Sequence, residues 1–532
     1  MTAGRYLVTG ASLLTLAIAS LGNGTPALAS YHRALLPLKA LGHVGPYAPP
    51  YIAPARAKSG TWTDLGGTLP FKEGPETALL LTDGTVVVHD VCYGQWYKLT
   101  PDTKGKYETG TWSTPAAMPS GYGPLYFAAQ VLPDGRVLMN GGEYNGPTGN
   151  CSGVETTKGA LYDPVADSWT SVSAPSGWAT IGDADSVILP SGSYMLANCC
   201  SSQEAIASIS GTSVTWSTTG TSKADSNSEE GWTQLPGGDL LTVDANTHLS
   251  STNQVELYNP STGIWGISGT TAQELVDPSS HELGPAVLRP DGNLIYFGAE
   301  PHNDIYNVNN GTWTAGPSFD ISGYDCEDAP AALLVSGNVV VQASPGTFQT
   351  PSHFWEFRLS TKTGVAKLVQ VNDPTTAPNI SSYYGRFLEL PTGQVLWTNS
   401  GEFTGTNEVA TYTPVGHPKV SWLPVVSSVS PRLRVGSKGN AISGTNFNGF
   451  SQGATYGDDA QMSTNYPLVR LTNNSTGDVC YARSYNFSTM GVWTTGTTNA
   501  VFDIPKSCET GASTLQVVVN GLASTGTSVK LK

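Results

Sequence analysis

The chain has 532 residues, of which 39% are hydrophobic and 13% are charged, and it contains 60 glycines and 36 prolines. This balance favours many short strands joined by tight turns and disfavours long amphipathic helices. The net charge of -15 argues against a nucleic acid partner, because the field of such a protein repels polyanions.

The first 29 residues have the pattern of a secretory signal sequence. Arg5 precedes an apolar segment, and Ala27-Leu28-Ala29 forms a cleavage site of small residues. We therefore expect cleavage after Ala29 and a secreted, extracellular protein. No later segment is apolar for about 18 residues, so no membrane span is predicted. Residues 30–59, rich in Pro and Ala, are predicted to form an extended lead-in.

One phrase recurs seven times in the region that follows. It consists of an apolar strand, a short turn with Gly and a second apolar strand, as in ALLLTDGTVVV and AVLRPDGNLIYF. Each phrase predicts a β-hairpin, with glycine where the turn needs a positive φ. The spacing of the turn glycines, 45 to 57 residues, is typical of kelch-type propeller blades. These glycines are Gly84, Gly135, Gly192, Gly238, Gly292, Gly337 and Gly393.

A second pair of strands, with a Tyr and a Trp, follows the hairpin, as in LYDPVADSW. These rings are expected to pack between blades. The last repeat ends at Tyr412 without the expected Gly-Thr-Trp, which occurs instead as Gly60-Thr61-Trp62. We predict that this N-terminal segment supplies the outer strand of the last blade. Residues 60–418 would then close into a seven-bladed kelch-type β-propeller, an all-β fold.

The composition changes again near residue 425. Alternating strands through Lys532 predict a small immunoglobulin-like β-sandwich over residues 425–532. Cys480 and Cys508 lie beside predicted strands of this segment, and we expect them to form a disulfide. The sequence leaves the pairing of the other five cysteines open: Cys92, Cys151, Cys199, Cys200 and Cys326.

Residues that enter the first strand of each hairpin and residues that leave its second strand are expected to surround one mouth of the central channel. The position nine residues before each turn glycine marks this rim. Its occupants are Pro75, Tyr126, Asp183, Glu229, Leu283, Asp328 and Tyr384. Acids and phenols at such a mouth suit proton transfer. The predicted catalytic residues are Tyr126, Asp183, Glu229, Glu230, Asp328 and Tyr384.

Neighbouring loops add histidines and further acids to the same face. The predicted substrate-binding residues are His89, His248, His281, His302, His353, Tyr383 and Arg386. Additional acids near the rim include Asp185, Asp244, Glu282, Glu300, Asp325 and Glu327. Acids such as Asp163 and Glu256, on outer strands, are expected to be exposed. The acid groups are also compatible with Ca²⁺, although no calcium-loop motif is present.

The seven hairpin phrases, followed by YGDDAQ...YPLVRLTNN from Tyr456 to Asn474, resemble galactose oxidase-like kelch proteins with a C-terminal early-set domain. The resemblance implies a copper ion held by two tyrosines and two histidines, with one tyrosine crosslinked to a cysteine. The tyrosines match Tyr126 and Tyr383. Pro75, Tyr384 and Gln461 occupy the positions of the cysteine and the histidines, so the sequence does not predict copper.

Three functions remain open at this stage. The favoured one is a carbohydrate-active protein, in which two carboxylates hydrolyse a glycosidic bond, or Tyr126 or Tyr384 acts with a His in a lyase while Arg386 neutralises a uronate. The second is a propeller that binds glycans or proteins without catalysis. The third is a copper-radical oxidase of the galactose oxidase type. The sequence leaves the sugar, any cofactor and the oligomeric state undetermined.

Overall fold

The computed structural model describes residues 59–249, 251–346, 349–360, 363–401, 407–457 and 459–532. The predicted signal sequence and residues 30–58 of the lead-in lie outside the described residues. Across the described ranges the regular structure is almost entirely β. Three short 3-10 helices are present, at Ala377–Asn379, Ser382–Tyr384 and Val420–Trp422. No helix in these ranges has the length and apolar character needed to cross a membrane.

The first three sheets in chain order are antiparallel and have four strands each. The first sheet has β2 (Pro75–Leu80), β3 (Val86–Asp90), β4 (Trp96–Thr100) and β5 (Thr111–Ser113). The second has β7 (Ala128–Val131), β8 (Val137–Asn140), β11 (Gly159–Asp163) and β12 (Ser168–Val172). The third has β13 (Ser186–Ile188), β14 (Tyr194–Ala197), β15 (Glu204–Ser210) and β16 (Ser213–Thr219).

Three further sheets continue the same pattern. The fourth has β17 (Thr233–Gln234), β18 (Leu240–His248), β19 (Asn253–Asn259) and β20 (Ile264–Thr270). The fifth has β21 (Ala286–Leu288), β22 (Asn293–Phe297), β23 (Asn303–Asn307) and β24 (Thr312–Ala315). The sixth has β25 (Pro330–Leu333), β26 (Val339–Ala343), β27 (His353–Leu359) and β28 (Ala366–Gln370).

The seventh sheet combines the two ends of the repeat region. It consists of β29 (Gly385–Glu389), β30 (Val395–Asn399), β31 (Glu408–Thr413) and the N-terminal β1 (Thr61–Asp64). Trp62 pairs with Tyr412 across β1 and β31, and their ring centroids are 4.9 Å apart. This pairing confirms the predicted use of the N-terminal segment.

Deletion of residues 60–68 is expected to leave β31 as an unpaired edge and to remove Trp62 from its contacts with Phe354 and Trp397. Exposed edges promote association with other chains. We expect aggregation in size-exclusion chromatography and loss of cooperative thermal unfolding. A monodisperse deletion variant with an unchanged melting curve would contradict this role of β1.

The first strands of neighbouring sheets contact one another along much of the sequence. β2 contacts β7, β7 contacts β13, β17 contacts β21, β21 contacts β25 and β25 contacts β29. β29 in turn contacts β2, which brings the last sheet back to the first. Nearly all of their residues are buried, and many of these are valine, leucine or alanine, so the inner strands contribute to the hydrophobic core.

The C-terminal segment forms an extended antiparallel sheet with one short parallel pair. Its strands are β32 (Val425–Val429), β33 (Arg432–Leu433), β34 (Asn440–Thr445), β37 (Leu468–Asn473), β38 (Val479–Tyr485), β39 (Thr498–Asp503), β40 (Gly511–Val519), β41 (Leu522–Ala523) and β42 (Thr527–Leu531). The predicted Cys480–Cys508 disulfide is present within this segment.

One hairpin of the C-terminal segment leaves this sheet and joins the sixth one. It consists of β35 (Gly453–Tyr456) and β36 (Ala460–Ser463), and β35 pairs with β25 in antiparallel register. The same hairpin contacts β2, β7, β13, β21 and β29. It therefore lies among the first strands of several sheets, and Gly457, directly after β35, is carried to the start of β25.

A small additional sheet lies next to the second four-stranded sheet. Its strands are β6 (Pro124–Leu125), β9 (Tyr144–Asn145) and β10 (Ser152–Gly153). A Cys92–Cys151 disulfide connects the residue directly before β10 to the loop after β3. Cys199 and Cys200 form a second disulfide between adjacent residues, and Cys326 is a buried free cysteine. These pairings resolve the alternatives that the sequence left open.

Candidate functional site

The backbone at the predicted rim has an unusual conformation in three repeats. Tyr126, Glu229 and Asp328 have φ values of 51°, 61° and 44°, in the left-handed region. Residues other than glycine rarely adopt this region, and such strain is concentrated at functional sites. In a fourth repeat Gly182, just before Asp183, has a φ of 67°. The chain therefore makes a similar sharp turn as it enters several first strands.

The hairpin tip from the C-terminal segment reaches this rim. Gly457 donates its N–H to Ala329 O at 3.3 Å, and a Cβ on Gly457 would lie 2.9 Å from Asp328 Oδ1. Only a residue without a side chain allows this approach at a φ of 32°. Asp328 is therefore held between its own strand entrance and the tip, with 6% of its surface exposed.

The rim tyrosines form an aromatic cluster. The ring centroid of Tyr126 lies 5.2 Å from that of Tyr383, and the Tyr383 centroid lies 5.5 Å from that of Tyr384. Tyr126 and Tyr383 are buried, while Tyr384 is half-buried. The cluster packs against the Cys92–Cys151 disulfide. Of the three phenols, Tyr384 is the one that a dissolved substrate can approach.

Arg386 lies beneath the tyrosine cluster and is buried. Its Nη2 lies 3.0 Å from Glu76 Oε1, and its Nη1 donates to the carbonyls of Tyr383 and Gly385 at 3.1 and 2.9 Å. Its Cζ lies 3.2 Å from the ring centroid of Tyr456 on β35. These contacts keep the guanidinium charged and surrounded by protein. The predicted contact between Arg386 and a substrate carboxylate is not supported by this placement.

His89 is also enclosed by protein. Its Nε2 contacts Tyr93 O at 3.0 Å, and its ring packs on Trp96 and Phe127 with centroid distances of 5.0 and 5.1 Å. Burial lowers the pKa of His89 to about 4, and the charge of Glu76 only partly opposes this effect. The ring is therefore neutral at pH 7 and packs between two sheets.

The other predicted histidines differ in their surroundings. His353 is buried, with Nδ1 2.8 Å from Asp373 Oδ2, and it stacks on Tyr324. His281 is half-buried, with Nδ1 3.2 Å from Ala245 O, and His302 is exposed. The side chain of His248 lies outside the described residues. His281 and His302 are thus the described imidazoles that a ligand at the rim could reach.

Glu230 belongs to a buried charge cluster around Lys223. The Lys223 ammonium lies 2.8 Å from Glu230 Oε2, 2.7 Å from Glu256 Oε2 and 3.7 Å from Asp244 Oδ1. All four side chains are fully buried. The expectation that Glu256 is exposed was wrong, because Lys223 and the Ala224 N–H, at 2.9 Å, hold it in the interior.

The Lys223 cluster contains more acid than base. Burial raises the pKa of Glu230 well above its usual value, against the attraction of Lys223. Burial likewise raises the pKa of Asp244 to about 7, with Lys223 again opposing it and Glu256 adding to it. Each carboxylate of the cluster depends on one buried cation, so Glu230 is better explained as part of the packing of the fourth sheet than as a catalytic residue.

A second group of acids lies nearer the surface, between the fifth and sixth sheets. Asp277 Oδ1 accepts hydrogen bonds from the N–H groups of Ser279 and Ser280 at 2.8 and 2.7 Å, which fixes the loop that precedes β21. Ser280 Oγ lies 3.0 Å from Asp277 Oδ1 and 2.9 Å from Glu327 Oε1. The Ser280 hydroxyl therefore lies between the carboxyl groups of Asp277 and Glu327 and links the two loops.

Asp325 is the central member of this group. It precedes β25, and it exchanges backbone hydrogen bonds with Ser344, which follows β26. Burial raises the pKa of Asp325 to about 8, and the charges of Glu327, Glu300 and Asp277 add to the effect. Asp325 is therefore largely a neutral acid at pH 7, next to other carboxyl groups. We call Asp277, Ser280, Glu300, Asp325 and Glu327 the acid cluster.

Asp183 and Glu229 are both half-buried at the rim. Asp183 donates its N–H to Glu155 Oε2 at 3.4 Å. Burial raises the pKa of Glu155 to about 7. The fixed offset from the turn glycines did not identify Glu155, because it belongs to the inserted loop after β10. The offset also missed Asp277 and Ser280, because they lie in the loop between β20 and β21. Asp277-Pro278-Ser279-Ser280 is nevertheless a recognisable turn signal.

No protein-family model and no curated protein matches the chain. Solved structures do. A fungal alcohol oxidase of the AA5 family, in complex with copper, has a TM-score of 0.50 and 12% identity over 89% of this chain and 99% of its own. A streptogramin B lyase has a TM-score of 0.46 and 9% identity over 67% and 98%. YCF48 bound to D1 peptide has a TM-score of 0.44 and 12% identity over 69% and 100%.

The likeness to the AA5 oxidase supports a β-propeller fold for this chain. The residues present do not fit a copper centre of the kind implied by the sequence resemblance. The described polar and sulfur-containing side chains around Tyr126 and Tyr383 include phenols, a disulfide, the Arg386 guanidinium and the Glu76 carboxylate. A fixed cation below the phenols repels a metal ion, and copper prefers imidazole to these donors. Gln461 is buried in β36, where it donates to Trp232 O at 2.6 Å.

Proposed function

We propose that residues 60–418 form a closed seven-bladed propeller of the kelch type and that residues 425–532 form an immunoglobulin-like domain. Six described four-stranded sheets, a seventh in which β35 and β36 extend the four strands, and the return contact from β29 to β2 support the ring. We also propose that the protein is secreted, with residues 1–29 as its signal sequence. Three disulfides agree with an oxidising compartment.

We propose that the chain is a secreted carbohydrate-active protein whose acid cluster cleaves a glycosidic bond. The observation that carries this proposal is the position of Asp325, a neutral carboxylic acid at the strand ends beside Glu327, Glu300 and Asp277. Glycosidases of most families need one protonated and one ionised carboxyl group on opposite sides of the scissile bond. Acids of one group that differ in their environments can be protonated at one position and ionised at another.

In this mechanism Asp325 donates its proton to the leaving glycosidic oxygen. Glu327 or Glu300, as the ionised partner, assists attack on the sugar by water or acts as the nucleophile. Ser280 holds Glu327 in place through the 2.9 Å contact. The same ionised groups keep the proton on Asp325 until the leaving oxygen develops negative charge.

Charge selects the class of sugar. The acid cluster and the net charge of -15 disfavour binding of a polyanion. The lyase alternative needs a cation for a uronate, and Arg386 is already paired with Glu76 below the tyrosines. We therefore propose a neutral or amino-bearing polysaccharide as the substrate, and hydrolysis as the favoured reaction over elimination.

The test is a panel of polysaccharides digested by the full-length secreted protein, with new reducing ends as the readout. The panel contains neutral β-glucans and galactans, chitosan, alginate and polygalacturonate. We expect turnover of at least one neutral or amino-bearing polymer and none of the anionic ones. If the protein binds a polysaccharide of the panel but does not cleave it, the binding function is supported and the catalytic function is overturned. Preferred cleavage of polygalacturonate would overturn the substrate class.

A further inference from the structure

A group of possible metal ligands lies beside Asp183, apart from the acid cluster. It consists of the Glu155 carboxylate and the sulfurs of Cys199 and Cys200, whose ligand atoms all lie within 4.8 Å of one another. Glu155 Oε2 is 3.4 Å from Cys199 Sγ. The two cysteines are joined as a disulfide between neighbouring residues. This combination of a carboxylate and two sulfurs suggests chemistry beyond a structural crosslink.

The backbone holds the Glu155 carboxylate against the sulfurs. Glu155 has a φ of 44°, and its N–H donates to Glu143 O at 3.1 Å. The Cys199 N–H donates to Ile181 O at 3.0 Å. A Cβ on Gly182 would lie 1.9 Å from Glu155 Oε2 and 2.5 Å from Cys199 Sγ. Gly182 therefore allows the carboxylate and the sulfur to approach each other.

We propose that Glu155, Cys199 and Cys200 form a redox-gated site for a soft or borderline divalent cation such as Cd²⁺ or Zn²⁺. In the oxidised form the two sulfurs are bonded to each other and are not thiolates, so they do not bind the cation. An external dithiol supplies two electrons and two protons, which breaks this bond, yields two thiols and leaves the dithiol as its own disulfide. The cation then displaces both thiol protons and binds two thiolates and the Glu155 carboxylate.

The donor set determines which cations fit. Thiolates prefer Zn²⁺, Cd²⁺ and related soft ions, while Ca²⁺ and Mg²⁺ prefer oxygen ligands alone. Two thiolates and one carboxylate supply three negative charges to a divalent ion and leave one position of a tetrahedron open. Hence the reduced site would hold a cation with a position for water or an exogenous ligand.

The Cys199–Cys200 disulfide can be reached by an external dithiol. Cys200 is exposed, so an external thiolate can attack its sulfur, whereas Cys199 is 4% exposed. Asp183 connects the site to the rim through its N–H bond to Glu155. The inference does not depend on glycan cleavage, because none of its ligands belongs to the acid cluster.

The experiment measures Cd²⁺ bound by the full-length protein before and after reduction. Protein is reduced with a dithiol, desalted without oxygen, equilibrated with Cd²⁺ and analysed for retained metal and for thiolate-to-Cd²⁺ charge-transfer absorption. The control is a double variant, Cys199→Ser and Cys200→Ser, which keeps the other two disulfides and Cys326. We expect one more Cd²⁺ per chain in the reduced wild type than in the reduced double variant.

Glu155→Gln tests the carboxylate while both cysteines remain. We expect it to weaken Cd²⁺ binding by about 10-fold or more, a loss typical of a disturbed metal site. Equal metal retention by the reduced wild type and the double variant would overturn the site. Equal retention by the oxidised and reduced wild type would overturn the gate. Unchanged Cd²⁺ affinity in Glu155→Gln would remove Glu155 from the ligand set.

Discussion

Replacement of Lys223 by Met is expected to lower the free energy of unfolding by about 3–5 kcal/mol, because it leaves buried carboxylates without their cation. Glu230, Asp244 and Glu256 all lie within 3.7 Å of the ammonium. Met preserves most of the volume of the Lys stem, so the loss measures charge rather than packing. Chemical denaturation of the variant and the wild type provides the comparison.

The deficit of Lys223→Met is expected to depend on pH. In the wild type, burial raises the pKa of Asp244 to about 7 from an ordinary value of 3.8. An acid whose pKa is raised by folding stabilises the protein fully below its unfolded pKa and loses that contribution as pH rises through the folded pKa. Without Lys223 the carboxylates ionise at still greater cost. The deficit should therefore be small near pH 5 and largest near pH 8.

Lys104→Met serves as the matched control for this prediction. Lys104 lies 2.6 Å from Asp478 Oδ1, but its side chain is 50% exposed and that of Asp478 is 39% exposed. Exposed pairs of this kind contribute about 0–1 kcal/mol. Equal unfolding curves for the Lys223 and Lys104 variants at pH 8 would show that the buried cluster does not depend on its cation.

Replacement of Asp325 by Asn is expected to reduce kcat on the active polysaccharide by about 10²-fold or more, since the amide cannot donate the catalytic proton. KM should change little, because Asn keeps the shape and the contacts around residue 325. The readout is the initial rate of reducing-end release at pH 7. Asp163→Asn, at the last residue of β11, is the matched control and should retain full activity.

Stability separates a catalytic role of Asp325 from a structural one. Because burial raises the pKa of Asp325 to about 8, its neutral form stabilises the folded protein fully below the ordinary pKa of 3.8, and this contribution is lost on ionisation as pH rises through about 8. Asn removes this ionisation, so the variant should be at least as stable as the wild type at pH 9. A variant that loses activity only together with its folded state would contradict the catalytic role.

The hairpins and the closing strand could be predicted because their signals are local. Turn glycines need a positive φ, as at Gly84 (77°) and Gly393 (84°), and the repeated phrase identifies one hairpin per sheet. The missing Gly-Thr-Trp of the last repeat was sufficient to predict the pairing of β1 with β31. Both inferences depend on covalent geometry and periodicity, which the sequence carries directly.

The burial of individual polar side chains could not be predicted in the same way. Glu256 is in β19, the third strand of its sheet, and it is buried because Lys223, from the linker before the fourth sheet, packs onto it. His89 is enclosed because Trp96 and Phe127 come from different sheets. Such contacts depend on how neighbouring sheets pack, and a position counted along one hairpin contains no information about the next.

The pH dependence of kcat/KM for the wild type, from pH 5 to pH 10 on the active polysaccharide, tests the central claim most directly. If a neutral Asp325 at the acid cluster supplies the proton, the rate should be sustained near neutral pH and should fall tenfold per unit above about pH 8. The residual activity of Asp325→Asn should lack this fall. A wild-type rate that rises through pH 8 would contradict the account.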